Sequence, residues 1–265
     1  EITAGGKVVV KVLKTGNASQ DEIRSAFESE LSILRALPVH QNIGNILGWS
    51  MQPSAFIFPD ESRMDLCDYV SKFGAVVDHL KFQELSQGLL AGLYALHHEE
   101  VVHRDLKPEN ILVRLDAPLL NPKIIDFGLS KKGRFSREKS GIGTINYLSP
   151  EALSEGRMMG FEDWCQADIY AMGVVFFSAV TGQFWLPLQL TKEGREFVLP
   201  TNYKARKARQ HEHLKACYVL KSDGTSEFET CLEAWDQIGD RTGFFGKIKG
   251  LVCNLLSLAS FFFLR

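Results

Sequence analysis

The sequence predicts an α+β fold in two lobes, a small β-rich lobe followed by a larger helical one. Three observations carry this reading. A β-branched run opens the chain, a capped amphipathic helix follows it, and beyond residue 60 the apolar spacing becomes helical. With 265 residues, 45% hydrophobic and 23% charged, the chain suffices for one large domain or two lobes sharing a core, which excludes a disordered or fibrous protein.

Each element has a local cause. Lys7-Val8-Val9-Val10-Lys11-Val12-Leu13 lies between Gly5-Gly6 and Thr15-Gly16-Asn17 and reads as a strand. Ser19 and Glu22 have capping-box spacing, and Ile23, Phe27, Leu31 and Leu34 follow as one apolar helix face. The apolar runs Ile43–Trp49 and Ala55–Phe58 read as strands. Pro59-Asp60-Glu61-Ser62-Arg63 reads as the connector between lobes, so residues 1–60 form the small lobe and 61–265 the large one. Phe82, Leu85, Leu89, Leu93 and Leu96 predict a long helix near 80–98, and the apolar stretch from Asp168 to about Val180 predicts a buried one. The segment 183–246 is the least regular. It holds a basic run (Lys204, Arg206, Lys207, Arg209, Lys215), read as a solvated helix face, and a candidate helix at 227–238.

Charge and cysteine usage remove several classes. Thirty Lys+Arg against 32 Asp+Glu leave a formal charge of −2, so no global basic field draws nucleic acid or anionic membrane. Five cysteines, odd in number and without a C-x-x-C pair, argue against a disulfide framework or zinc site and for a reducing compartment. The chain begins with Glu1 and shows no signal-peptide pattern, so a fragment of a longer chain is expected.

The chemistry is concentrated in Val102-His103-Arg104-Asp105-Leu106-Lys107-Pro108-Glu109-Asn110, where His-Arg-Asp-Leu precedes an Asn five positions after the Asp. Val8-Val9-Val10-Lys11, Asp126-Phe127-Gly128 and Ser149-Pro150-Glu151 accompany it in order. Together these resemble the catalytic loop, strand-three lysine, metal-binding motif and activation-segment terminus of the eukaryotic protein kinases, from about Lys7 to Gly182 with weaker continuation. The resemblance implies a two-lobed protein-kinase-like fold and transfer of the γ-phosphoryl group of MgATP to protein serine or threonine. Such transfer needs negative oxygens neutralised and an acceptor hydroxyl held in line.

Residue by residue, the resemblance implies that Lys11 pairs with the α and β phosphates and is held by Glu30, Glu28 facing elsewhere on the helix. Asp105 accepts or orients the substrate proton, and Asn110 and Asp126 hold Mg2+. Lys107 lies against the transferred phosphate, and Thr144, in Gly143–Glu151, hydrogen-bonds the catalytic aspartate; both match the serine/threonine type. Val9 and Leu112 sandwich adenine, although Val9 departs from the usual Ala. Leu34, His103 and Phe127 match a packing column anchored by Asp168, with Gly128 completing the metal motif and Glu151 the segment terminus. Arg104 before Asp105 implies switching by a phosphate, with Ser136 and Ser140 as acceptors for an upstream activating kinase. His97-His98 close the long helix, and His211-x-His213 lacks the further ligands of a metal site.

Two departures stand beside the match. Only Ala4-Gly5-Gly6 precedes Lys7, so a phosphate-covering glycine-rich loop and two strands are lacking from the sequence, as in a truncated kinase, an incomplete gene model or a kinase-like module. Residues 251–258 resemble a late helix, yet the Arg expected to pair with Glu151 comes two positions late, as Arg265. The apolar tail 250–264 is read as buried, being shorter than the ~18–20 residues that span a bilayer. A pseudokinase or scaffold is the rival reading, opposed by the complete Lys11, Glu30, Asp105, Asn110, Asp126 set. A small-molecule phosphotransferase is a third, and it would lack a segment like Gly143–Glu151. Asp126–Lys131 is similar to the calcium/calmodulin-dependent group but is too short to assign a subfamily. Protein substrates, no nucleic acid, no membrane span and a cytoplasmic or also nuclear location are expected.

Overall fold

The computed structural model describes residues 7–13, 19–61, 63–115, 118–135, 138–153 and 157–182. They divide between two units, Glu1–Phe135 and Ser136–Arg265. The candidate helix at 227–238, the late helix at 251–258, the basic run and the apolar tail lie outside the described residues.

In the first unit, strand β1 (Val8–Val12) pairs antiparallel with β3 (Ser54–Pro59), and β3 with β2 (Gly48–Met51), in the order β1-β3-β2. The strand expected over 43–49 starts only at Gly48. Ile43 instead makes an isolated parallel bridge to Ile124, and Gly44 N–H donates to the Ile124 carbonyl. Ile43 is completely buried there, so its apolar character reflects core packing rather than strand pairing.

Helix α1 (Gln20–Ala36) starts where the spacing placed it. Ser19 caps the Glu22 N–H, and Glu22 reaches back to the Ser19 N–H at 2.7 Å, a reciprocal box. Pro38 follows its end and cannot continue it. Phe27 of α1 stacks on Phe56 of β3, centroids 4.7 Å apart and both rings fully buried, each burial stabilising by about 2–3 kcal/mol.

Strand β4 (Arg63–Asp65) leads into α2 (Leu66–Phe73), capped by Asp65 and closed by Gly74 at φ 84, then α3 (His79–His98), capped by Asp78. Phe82, Leu85, Leu89, Leu93 and Leu96 of α3 are all buried, as their spacing requires. Gly88 and Gly92 on α3 admit close neighbours. A Cβ on Gly88 would fall 2.8 Å from Pro122 Cγ, and one on Gly92 would fall 3.0 Å from the Asn42 carbonyl. Beyond α3 come β5 (Val101–Val102), β6 (Ile111–Arg114), β7 (Lys123–Ile124) and β8 (Lys131–Lys132), forming a β4-β6-β7 sheet and a β5-β8 pair.

In the second unit, β9 (Glu138–Lys139) pairs with β10 (Met158–Met159), flanking α4 (Pro150–Leu153). The buried helix α5 runs Phe161–Thr181, seven residues ahead of its expected start at Asp168. Its acidic first turn is a proper helix start, with Asp163 accepting from the Gly160 N–H at 2.8 Å, and Gly182 at φ 73 ends it.

Candidate active site

Strand alternation puts Val9 and Lys11 on one face of β1. On α1, Glu30 stands three residues after Phe27 and four before Leu34, so it shares their buried face and is only 6% exposed. Glu28 is exposed and pairs with Arg24 at 2.8 Å, so Glu30 alone of the two reaches Lys11. Lys11 Nζ lies 2.7 Å from Glu30 Oε1 and 2.8 Å from Asp126 Oδ1. One ammonium is thus shared by two carboxylates.

The electrostatics follow from that sharing. Burial works to lower the Lys11 pKa, but the hydrogen bonds and charges of Asp126 and Glu30 outweigh it and hold it above the ordinary lysine value. Burial pushes Asp126 up, yet Lys11 draws it below the usual carboxylate value. Glu30 is pushed up, because its burial exceeds what half of a shared ammonium offsets. Asp126 itself is held at φ 64, a left-handed conformation that an aspartate tolerates better than a branched residue. Gly128 sits beside it, where an added Cβ would meet Asp126 Oδ1 and Glu30 Oε2 at 3.5 Å, an ordinary contact.

The loop after β5 is tied by its own side chains. His103 is completely buried; its Nδ1 accepts the Asp105 N–H at 3.3 Å and its Nε2 faces the Ile125 carbonyl at 3.0 Å, which the Nε2–H tautomer satisfies at both ends. Its ring lies 5.2 Å from that of Phe127. Asn110, in a 3-10 turn begun by Pro108, donates through Nδ2 to the Asp105 carbonyl at 2.8 Å and to Asp105 Oδ2 at 3.2 Å. Lys107 Nζ approaches the same Oδ2 at 2.9 Å. Arg104, at φ 67, donates from Nε to the Leu129 carbonyl at 2.6 Å.

These elements surround a cavity of about 410 Å³ whose lining includes Val9, Lys11, Phe58, Asn110, Leu112 and Asp126. Val9, Lys11, Asn110, Leu112 and Asp126 were therefore brought together, with Glu30 joined through Lys11 and Asp105 through Asn110. Glu61, Arg63 and Lys123 also line it and were not foreseen. Glu61 and Arg63 appear in the sequence only as part of a polar connector, and Lys123 carries no signal of its own, because opposite charges far apart in the chain have no local period.

The other expected residues belong to the second unit. Thr144 accepts the Tyr147 N–H through its carbonyl at 2.9 Å, Ser140 donates its N–H to the Arg157 carbonyl at 3.0 Å, and Asp168 is buried on α5. Glu151 is buried, burial pushes its carboxyl up, and its Oε1 has no hydrogen-bond partner among the described residues. Ser136 and Arg265 lie outside the described residues.

Asn110 turns its amide nitrogen to Asp105, and Asp126 spends Oδ1 on Lys11. Asn110 also carries one amide oxygen and Asp126 a second carboxylate oxygen, both residues line the cavity, and hard oxygen donors of this kind fit a magnesium ion. Among the described residues no group of three or more His, Cys, Asp or Glu could hold a metal, and no helix is long and apolar enough to cross a membrane.

The family model described as Protein kinase domain matches residues 1–237. The calcium and calcium/calmodulin-dependent serine/threonine-protein kinase DMI-3 of Medicago truncatula is 34% identical over 149 residues, 53% of this chain and 27% of that protein. The calcium and calcium/calmodulin-dependent serine/threonine-protein kinase of Lotus japonicus matches to the same extent. The calcium/calmodulin-dependent serine/threonine-protein kinase of Malus domestica is 37% identical over 139 residues, 48% of this chain and 32% of that protein. The matched stretches thus span about a quarter to a third of these relatives.

Proposed function

Because the chain belongs to the protein kinase domain family, we propose that it transfers the γ-phosphoryl group of ATP to serine or threonine hydroxyls of protein substrates. The observation that carries this is Lys11 shared between Glu30 and Asp126 on the wall of the cavity. A cation fixed by two carboxylates on separate elements is held ready for phosphate oxygens without reorganisation.

In this reading Lys11 binds the α and β phosphates and Glu30 keeps its ammonium in place. Asp105 takes the proton of the acceptor hydroxyl, its carboxylate oriented by Asn110 Nδ2 at 3.2 Å and its charge balanced by Lys107 at 2.9 Å. Lys107 then lies against the phosphoryl group in transit. Asn110 and Asp126 would hold magnesium, which neutralises charge on the phosphate oxygens when bound. Val9 and Leu112 flank the base. Leu34, His103, Phe127, Gly128 and Asp168 pack and position, and Thr144 and Glu151 shape the platform for a protein acceptor. Ser136 and Ser140 are the proposed acceptors of an activating phosphate from an upstream kinase, which Arg104 would read, and a cytoplasmic setting suits the cysteine usage.

The test is transfer of labelled γ-phosphate to a generic basic protein by the chain and by Asp105→Asn. Incorporation into serine and threonine that is lost in the variant is expected. Equal background transfer by both would sink the enzyme reading.

A further inference from the structure

The cavity wall contains a second charge cluster that the transfer chemistry does not use. Glu61 Oε2 accepts from Arg63 Nε at 2.8 Å and Nη2 at 2.6 Å, while Glu61 Oε1 accepts from Lys123 Nζ. Arg63 spends its remaining nitrogen, Nη1, on the Asn121 carbonyl, and its side chain is 5% exposed. Asn121, at φ 41, is itself fixed, its N–H lying 2.8 Å from both carboxylate oxygens of Glu84 on α3.

We propose that Glu61, Arg63 and Lys123 are positioning residues that clamp the connector between β3 and β4 onto the floor built by β6 and β7, and thereby set nucleotide affinity. The inference rests on reading this cavity as the ATP site. The connector supplies Pro59, Asp60, Glu61 and Arg63 to the cavity wall, whereas the floor supplies Leu112 and Lys123. The backbone fixes both ends of the connector: Asp60 N–H donates to the Lys7 carbonyl at 3.1 Å, and from Arg63 onward β4 pairs with β6. Between those ends Glu61 meets the floor through its side chain, on Lys123. Burial would push the Glu61 carboxyl up, but Lys123 and Arg63 outweigh it and keep it below its ordinary value, so the clamp is ionic at neutral pH. Two cations on one carboxylate also give redundancy, since removing Lys123 leaves Glu61 tied to Arg63 and loosens the wall without orphaning the buried guanidinium.

The experiment measures MgADP binding by titration calorimetry, and the KM for ATP and kcat, on the full chain carrying Lys123→Met, Glu61→Gln or Lys123→Arg. K123M and E61Q are expected to weaken MgADP and raise the KM for ATP about fivefold, with kcat moving less than twofold. K123R restores both, which a purely steric role for the lysine stem would not require. Wild-type binding of MgADP with unchanged affinity in K123M and E61Q would overturn the clamp alone. A loss confined to kcat would overturn it as well. A wild-type chain that binds neither MgADP nor MgATP would overturn the functional reading and the clamp with it.

Discussion

Lys11 and Glu30, nineteen positions apart on a strand and a helix, meet at 2.7 Å. The helix face decides it: Glu30 occupies an apolar-face position between Phe27 and Leu34, so its carboxylate is carried inward with the core. A buried carboxylate needs a cation, and a lysine on the facing strand supplies it. Lys11→Met should therefore lower kcat/KM by about 100-fold or more, because phosphate binding and the anchor for Asp126 go together. Glu30→Gln keeps the Asp126 contact and should lose about tenfold. Steady-state transfer assays over a range of ATP concentrations separate the two.

The same cluster sets a pH dependence with a defined sign. Asp126 has a folded pKa below its unfolded one, so the stability it contributes is full above roughly pH 4 and disappears as pH falls through the depressed value. Lys11 is raised, so its contribution is full below roughly pH 10 and disappears as pH rises through the raised value. Glu30 is raised instead, so its ionisation above roughly pH 4 costs stability. The gap in melting temperature between wild type and Asp126→Asn should narrow on acidifying from pH 7 to pH 3. A gap that stays constant over that range would contradict the ion pair as its source.

What the sequence made legible was local or consecutive. The five apolar residues of α3 fall at one angular position on a 3.6-residue period, and the 103–110 loop has its chemistry in adjacent residues. Short and boundary elements were lost. Helix α2 has eight residues and buries only Leu66, Tyr69 and Val70, too brief a pattern to declare a period. The start of α5 was missed because Glu162 and Asp163 look like loop residues, whereas they complement the positive end of the helix. Glu61 and Lys123 are 62 positions apart and meet only through tertiary pairing of β4, β6 and β7.

The structure gives Asn110 a contact separable from the proposed metal binding. Its Nδ2 holds both the carbonyl and Oδ2 of Asp105, and the residue is 5% exposed. Asn110→Ala removes two hydrogen bonds, one of them to a carboxylate, and should cost about 1–3 kcal/mol of stability along with most of the transfer activity. Asn110→Asp keeps the size and removes the donor, placing a carboxylate against Asp105. It should be the less active of the two at neutral pH and recover partly on acidification. Denaturation midpoints and transfer rates measured across pH 5–8 test this; equal activity of N110A and N110D throughout would argue against Asn110 orienting Asp105.

Gly88 sets intrinsic propensity against packing. In an exposed helix, Gly→Ala stabilises by up to about 1 kcal/mol. At Gly88, however, the new methyl would lie 2.7 Å from Asn42 Nδ2 and 2.8 Å from Pro122 Cγ. Asn42 is 3% exposed and donates from that same nitrogen to the Pro122 carbonyl at 2.8 Å, so moving it aside breaks a buried hydrogen bond, and the proline ring has little room to yield. Overpacking of this kind costs about 1–3 kcal/mol, which exceeds the propensity gain. Gly88→Ala should therefore lower the urea midpoint, whereas Tyr94→Ala on the same helix, at a position 71% exposed, should shift stability by no more than about 0.5 kcal/mol. A rise in the midpoint for G88A would mean that α3 does not press against Asn42 and Pro122 as closely as the backbone positions require.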